Sequence, residues 1–209
     1  MKVLYIDCFA GFTSEMLLGA LIDMGASPSY IESALAETGA KVTIDASVTK
    51  RSKMECTLAK VTAEKAKEKI SFSEKILSMA EKMPECTHRE LCVFASVICA
   101  IEYLDADYIM CSEINDGYRE NETVYNILKN ANIPINSLPT DKSLISCEGA
   151  VFLSQTVNEC DILPLGNVKS VGYGAGAEDF SDIPNIVRSV LTETEEEPVF
   201  FEVAEKLKL

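Results

Sequence analysis

The stretch that most constrains this chain runs from Leu4 to Gly25, LYIDCFAGFTSEMLLGALIDMG. Val3-Leu4-Tyr5-Ile6 is a short apolar run with β-branched and aromatic members, which predicts a buried strand. Asp7 stops the run on a polar residue, and Gly11 lets the backbone turn sharply. Thr13 or Ser14 then caps a helix that carries Glu15 in its first turn. Met16, Leu17, Ala20, Leu21 and Met24 recur at helical spacing, and Gly25 closes the helix. A strand, a tight turn and a helix start expose backbone N–H groups that suit an anion, with Gly11 and Ser14 as candidate contacts. Asp7, Cys8 and Glu15 are candidate metal ligands from the same place. The alternative is that these residues only cap a connection.

Downstream, Pro28 to Glu37 predicts a second helix closed by Gly39. Lys41 to Val48 and Thr57 to Thr62 alternate polar and apolar residues and predict an antiparallel hairpin, with Lys50 to Glu55 as its turn. Helices follow over Ser73–Met83 and Thr87–Leu104, separated at Pro84, and then a short strand over Asp107–Cys111. Glu122–Asn130 and Glu148–Val157 read as helices, Ile133-Pro134-Ile135 as an edge segment, and Gly166–Gly172 and Asn185–Leu191 as strands. This order fits an α+β fold, a two-layer sandwich with mixed or antiparallel sheets and ferredoxin-like elements, better than a doubly wound parallel sheet. The expected organisation is a strand-turn-helix plus hairpin subdomain over 1–70, a second α+β subdomain over 71–192 and a charged C-terminal segment over 193–209.

With 33 acidic against 19 basic residues and a net charge of −14, the chain does not present the clustered Lys and Arg that nucleic acid or an anionic membrane requires. No apolar stretch reaches the roughly 18–20 residues of a membrane span, and Met1-Lys2 leads straight into a strand, so a cytoplasmic location is expected. The eight cysteines show no C-x-x-C pair and no zinc-type spacing, and in such a compartment they are expected to be reduced. Cys92 and Cys99, two helical turns apart among apolar residues, read as core filler.

Asp7-Cys8-Phe9-Ala10-Gly11-Phe12-Thr13-Ser14-Glu15-Met16-Leu17-Leu18-Gly19-Ala20-Leu21 resembles the opening of the LarC family, the nickel-insertion proteins of nickel-pincer nucleotide synthesis, which reads D-C-x-x-G-x-S-G-D-M-x-L-G-A-L. Thr13-Ser14-Glu15 replaces Ser-Gly-Asp, so a glycine is lost and the acid is one methylene longer. A second stretch, Gly172-Tyr173-Gly174-Ala175-Gly176-Ala177-Glu178-Asp179-Phe180 followed by Pro184-Asn185-Ile186-Val187-Arg188, resembles the family's G-Y-G-A-G-x-x-D-F…P-N-x-x-R. Its alternate glycines, Gly172, Gly174 and Gly176, read either as a tight connection or as a place where a ligand's phosphate approaches. The turn from Asp7 to Glu15 and the glycine turn from Gly172 to Gly176 are expected to meet at one cleft.

The departures from the family bear on function. The family carries a histidine-rich run, whereas this chain has one histidine, His88, and imidazole and thiolate are the usual protein ligands for nickel. The family's T-P-T-G-A appears as Ser146-Cys147-Glu148-Gly149-Ala150, and its long proline-rich segment is shortened to residues 115–121. The resemblance implies the N-terminal portion of a protein that installs nickel in a pyridinium bisthiocarboxylic acid mononucleotide using CTP. It also implies weak binding of nickel or another divalent cation, and no CTP site in this chain alone. Expected partners are a separately encoded second half or further copies of the chain. The alternative is a metal-free paralogue acting as a small-molecule binding or oligomerisation module. A hydrolase ranks last, because neither a G-x-S-x-G elbow nor a P-loop occurs.

Overall fold

The first strand, β1 (Lys2–Asp7), is an interior strand of a seven-stranded mixed sheet. The computed structural model describes residues 1–64, 70–83, 85–118 and 121–195. After β1 come helices α1 (Ser14–Asp23) and α2 (Pro28–Glu37), the hairpin of β2 (Val42–Arg51) and β3 (Met54–Ala63), and helices α3 (Glu74–Glu81) and α4 (His88–Tyr103). Strands β4 (Tyr108–Cys111) and β5 (Ile114–Asp116), helix α5 (Glu122–Asn130), strand β6 (Ile135–Ser137) and helix α6 (Cys147–Thr156) follow. Strands β7 (Glu159–Cys160), β8 (Asn167–Ala175) and β9 (Ile186–Glu193) complete the order. The large sheet runs β2-β3-β8-β9-β1-β4-β7, and β5 and β6 form a small sheet of their own. Strands from both sides of residue 70 therefore share one sheet. The expected break at Pro84, residues 119–120 and the charged terminal segment beyond residue 195 lie outside the described residues.

β1 pairs parallel with β4 and antiparallel with β9, which makes the sheet mixed and the fold α+β. Its side chains alternate between two apolar environments, which is why the run Val3–Ile6 is apolar without interruption. Leu4 and Ile6 join Ile44, Val61, Ile109, Val187 and Leu191, together with buried residues from all six helices, in one main core. Val3 and Tyr5 face the other side with Met110 and Val190. Desolvation, with Asp7 nearby, pushes the Tyr5 hydroxyl up to about 12.

Helix α1 is buried almost all round: Ser14 and every residue from Met16 to Leu21 are shielded from solvent. A helix this enclosed has to sit close to what it packs on, and three glycines permit it. A Cβ on Gly19 would lie 2.3 Å from Thr57 O in β3, one on Gly172 would lie 2.1 Å from Ala20 O, and one on Gly174 would lie 1.7 Å from Met16 O. The helix thus rests on the line where β3 and β8 meet, and these two strands pair only at Thr57 and Gly174. Where the ladder opens, carboxylates from α1 take the unpaired N–H groups: Asp23 accepts from Tyr173 N at 2.9 Å and Glu15 from Val61 N at 2.9 Å.

Three local expectations are corrected. The alternate glycines lie mostly within a strand, because β8 continues through Tyr173 and Gly174 to Ala175; only Gly176 falls beyond it. The hairpin turn is shorter than expected, just Ser52-Lys53, with φ of 47° and 71°. Both residues are left-handed, the geometry of a two-residue hairpin turn that Asn-Gly would announce and Ser-Lys does not. The last strand, expected to end at Leu191, runs on to Glu193.

If the seat of α1 is what these glycines serve, Gly174→Ala costs about 4 kcal/mol or prevents folding, because the new methyl meets backbone that cannot move aside. Gly25→Ala is the comparison: its φ is +111° but nothing lies within 4 Å of the added carbon, so strain of about 1 kcal/mol is expected. Urea denaturation of both variants measures the difference, and equal losses would refute the packing account.

Candidate functional site

After Asp7 the chain turns through Gly11, whose φ of +94° and whose approach to Leu144 leave no room for a side chain: a Cβ there would lie 2.1 Å from Leu144 O. Phe12 N donates to Leu144 O at 2.9 Å and Ser146 N to Phe12 O at 3.3 Å, so the turn is zipped to the segment that precedes α6. This brings two helix starts side by side. Thr13 caps α1 by accepting from Met16 N at 3.1 Å, and Ser146 caps α6 by accepting from Gly149 N at 3.1 Å.

Glu148 lies between the two caps. Its carboxylate accepts from Ser14 N at 3.2 Å, from the Ser14 hydroxyl and from Ser146 Oγ at 2.9 Å. The residue as a whole is half-buried, but the carboxylate is enclosed, and desolvation pushes it above the usual range although these hydrogen bonds pull the other way. Ser14 stands where the family opening has glycine, and Glu148 where its T-P-T-G-A has the second threonine. These two departures touch each other. An anion that Ser14 would otherwise meet at the start of α1 is supplied by the chain itself.

Beside this pair lies a cleft of 520 Å³ with three walls. Thr13 and Met16 form one, Asp141 to Ser146 the second, and Gly176, Ala177, Glu178, Phe180 and Asn185 the third. The turns Asp7–Glu15 and Gly172–Gly176 thus reach one cleft, through Thr13 on one side and Gly176 on the other, with Met16 and Asn185 beside them. The third wall is braced: Gly176 N donates to Asn185 O at 2.8 Å, Asn185 Nδ2 donates to Glu178 O at 2.9 Å, and Arg51 donates to Gly176 O at 2.7 Å. Lys142 Nζ stands 5.8 Å from the centre of the Phe180 ring and 3.7 Å from the Asp141 carboxylate.

The remaining sequence candidates are placed as follows. Asp7 pairs with Arg188 at 2.5 Å, which joins the first residue of one family stretch to the last of the other. Cys8 is fully buried, with its Sγ 3.9 Å from Ile6 O, and burial raises its thiol well above the ordinary value. Glu15, besides accepting from Val61 N, pairs with Arg89 at 2.5 Å. The three therefore point to different partners. Gly172 and Gly174 face α1, and only Gly176 reaches the cleft. His88 places Nε2 3.0 Å from Glu64 O and 3.7 Å from Cys92 Sγ. Among the described residues, no group of three or more His, Cys, Asp or Glu is gathered as a metal site would require. Asp141, Lys142 and Phe180 were not singled out by sequence; the only signal was that Phe180 lies in the second family stretch.

Fold and cleft define an α+β domain with a ligand-sized cavity assembled from three separate segments. The chain belongs to the nickel insertion protein family, whose model matches residues 4–103 and 90–205. It is 27% identical over 240 residues to a pyridinium-3,5-bisthiocarboxylic acid mononucleotide nickel insertion protein of Staphylococcus epidermidis, covering 93% of this chain and 60% of the relative. A putative nickel insertion protein of Methanococcoides burtonii is 26% identical, again over 93% of this chain and 60% of the relative. A Thermotoga petrophila protein with the same name as the first is 23% identical over 91% of this chain and 60% of its own length. The chain thus spans about three fifths of the length of these curated relatives. No solved structure matches it at a comparable level.

The enclosed Glu148 carboxyl makes a pH prediction. Because its folded pKa is raised above the unfolded value, the folded state holds the proton more tightly, and stability falls as pH rises from about 4.5 through the folded pKa. Glu148→Gln keeps an acceptor for Ser14 and removes the ionisation. The variant is expected to be at least as stable as the parent at pH 7, with any advantage shrinking as pH falls towards 4.5; denaturant titrations across that range measure it. An advantage that grows on acidification would refute the assignment.

Proposed function

We propose that this chain is the mononucleotide-holding portion of a nickel-insertion system, with the three-walled cleft as the binding site and nickel as a substrate delivered from outside it. The supporting observation is that the two stretches most like the family converge on a single cleft of 520 Å³, a size suited to a mononucleotide. The walls suit the chemistry of a pyridinium mononucleotide. A flat cationic ring matches the face of Phe180 and the carboxylates of Asp141 and Glu178, and the phosphate matches the Lys142 ammonium. Lys142 already lies over the Phe180 ring, so binding would exchange one cation for another there and free the ammonium for the phosphate.

Membership of the family links the chain to nickel handling, and the ligands near the turn say how firmly it would hold the ion. Asp7 and Glu15 are each engaged by a guanidinium, and Cys8 is buried as a thiol, so metal binding here is weak and favours oxygen ligation. Insertion then requires ligands from a further segment, a second subunit or another copy. CTP would be handled by that remainder and not by this chain. No helix among the described residues is long and apolar enough to cross a membrane, and unbridged cysteines suit the cytoplasm.

Calorimetric titration with nicotinic acid mononucleotide, a pyridinium carboxylate nucleotide, tests the cleft. Saturable binding is expected, weakened about tenfold by Lys142→Ala through loss of a charge-assisted contact, and weakened as well by Phe180→Ala. Absence of saturable binding, or binding indifferent to both substitutions, would overturn the assignment. Titration with nickel alone should give no stoichiometric binding below micromolar concentration; tight binding abolished by Asp7→Asn or Cys8→Ser would show a complete metal site at the first turn.

A further inference from the structure

Three cysteines far apart in sequence lie at one end of the large sheet. Ile6 of β1 is in register with Cys111 of β4, and Cys111 with Cys160 of β7, while Cys8 follows two residues beyond Ile6. Cys8 and Cys111 belong to the main core and Cys160 packs against it, so the three share the helix-covered face. In-register residues on neighbouring strands are about 4.8 Å apart, inside the roughly 4.4–6.8 Å that a disulfide spans between Cα atoms. The two strands are held there by Asn158 N donating to Ile109 O at 2.8 Å and Asp161 N donating to Cys111 O at 3.0 Å.

We propose that Cys111 and Cys160 are a thiol pair that hydroperoxide oxidation converts to a disulfide, tying the edge strand β7 to β4. Cys111 and Cys160 stand directly in register across β4 and β7, and a protonated Cys160 donates to Ser112 O at 3.2 Å. Cys160 is half-buried and Cys111 is fully enclosed, which sets the order of events. The hydrogen bond from Cys111 lowers the Cys160 thiol below its ordinary value against burial and the nearby Glu113, Asp161 and Glu159. The deprotonated Cys160 sulfur attacks one peroxide oxygen, the O–O bond breaks, and hydroxide leaves and takes up a proton as water. Cys111 sulfur then attacks the resulting sulfenic acid, and its proton departs with the sulfenic oxygen as a second water. Two thiols are oxidised and one peroxide is reduced.

The bridge would close the chain through β5, α5, β6 and α6, including the Asp141–Ser146 wall of the cleft. This does not depend on what the cleft binds. The test is treatment of the purified chain with hydrogen peroxide, alkylation of the remaining thiols and peptide mapping without reductant. The expected result is a linked peptide pair containing Cys111 and Cys160, reversed by dithiothreitol, and a rise in melting midpoint of about 5–10 °C for the oxidised form. Cys160→Ser, at a half-buried position that tolerates the change, should lose both the link and the rise. A bridge to Cys8 instead, a loss of thiols carried by links between chains, or both cysteines remaining alkylatable would each overturn the proposal.

Discussion

The closeness of α1 to the sheet governs this structure. A helix backbone normally stands about 10 Å from a sheet because side chains on both surfaces keep it there. Here Gly19 on the helix and Gly172 and Gly174 on the sheet remove those side chains at the point of contact, and the helix backbone rests directly on the strands. The approach allows Glu15 and Asp23 to reach backbone N–H groups where β3 and β8 part. It also commits Met16, Leu17, Leu18 and Leu21 to full burial, each contributing about 1.5–3 kcal/mol that no looser packing would recover. With α1 fixed in this way, the position of its N-terminus, and hence of Thr13 at the cleft, follows from the sheet.

The second constraint is the lateral pairing of the Gly11 turn with the segment from Leu144 to Ser146. A parallel bridge between Phe12 and Ile145 places the starts of α1 and α6 together, and adjacent helix starts concentrate unpaired N–H groups and positive potential. Glu148 answers that potential from within the chain. Its enclosure raises the cost of its charge, so the arrangement is a compromise between a satisfied pair of caps and a desolvated carboxyl. The compromise couples the first family stretch to the region before α6, and both partners in it are residues at which this chain departs from the family pattern.

The outline of the fold was legible wherever a segment's own residues decide its conformation. The strand and helix around Gly11, the helix from Pro28 to Glu37 and the helix opened by Thr87 all carry strong local signals: apolar periodicity, a capping hydroxyl, a proline at the helix start. What was not legible depends on distant neighbours. Gly172 and Gly174 read as a turn because glycine usually marks one, yet their spacing of two is that of one face of a strand, and only the approach of α1 explains why that face is bare. The Ser52-Lys53 turn lacks glycine or asparagine and takes its left-handed geometry from the ten-residue pairing on either side. The cleft was visible as the meeting of two motifs, but its charged wall, Asp141 and Lys142, lies in a segment with no motif at all.

The chemistry of the first turn separates scaffold from ligand more sharply than the residue types suggest. Asp, Cys and Glu within nine positions look like a metal set, but a metal ion needs deprotonated donors whose lone pairs converge. Asp7 is turned along β9 to Arg188, Glu15 is turned towards β3 and α4, and Cys8 is directed into the main core where its thiolate would be unsolvated. Recruiting the two carboxylates would take from Arg188 and Arg89 their carboxylate partners, and Arg188 already has a buried Nε without a hydrogen bond. The same residues instead fasten β1 to β9 and α1 to β3, which holds the walls of the cleft in register. On the proposed reading, the part of the family opening retained here positions the organic substrate, and the donors that carry nickel to it must come from residues outside the described core.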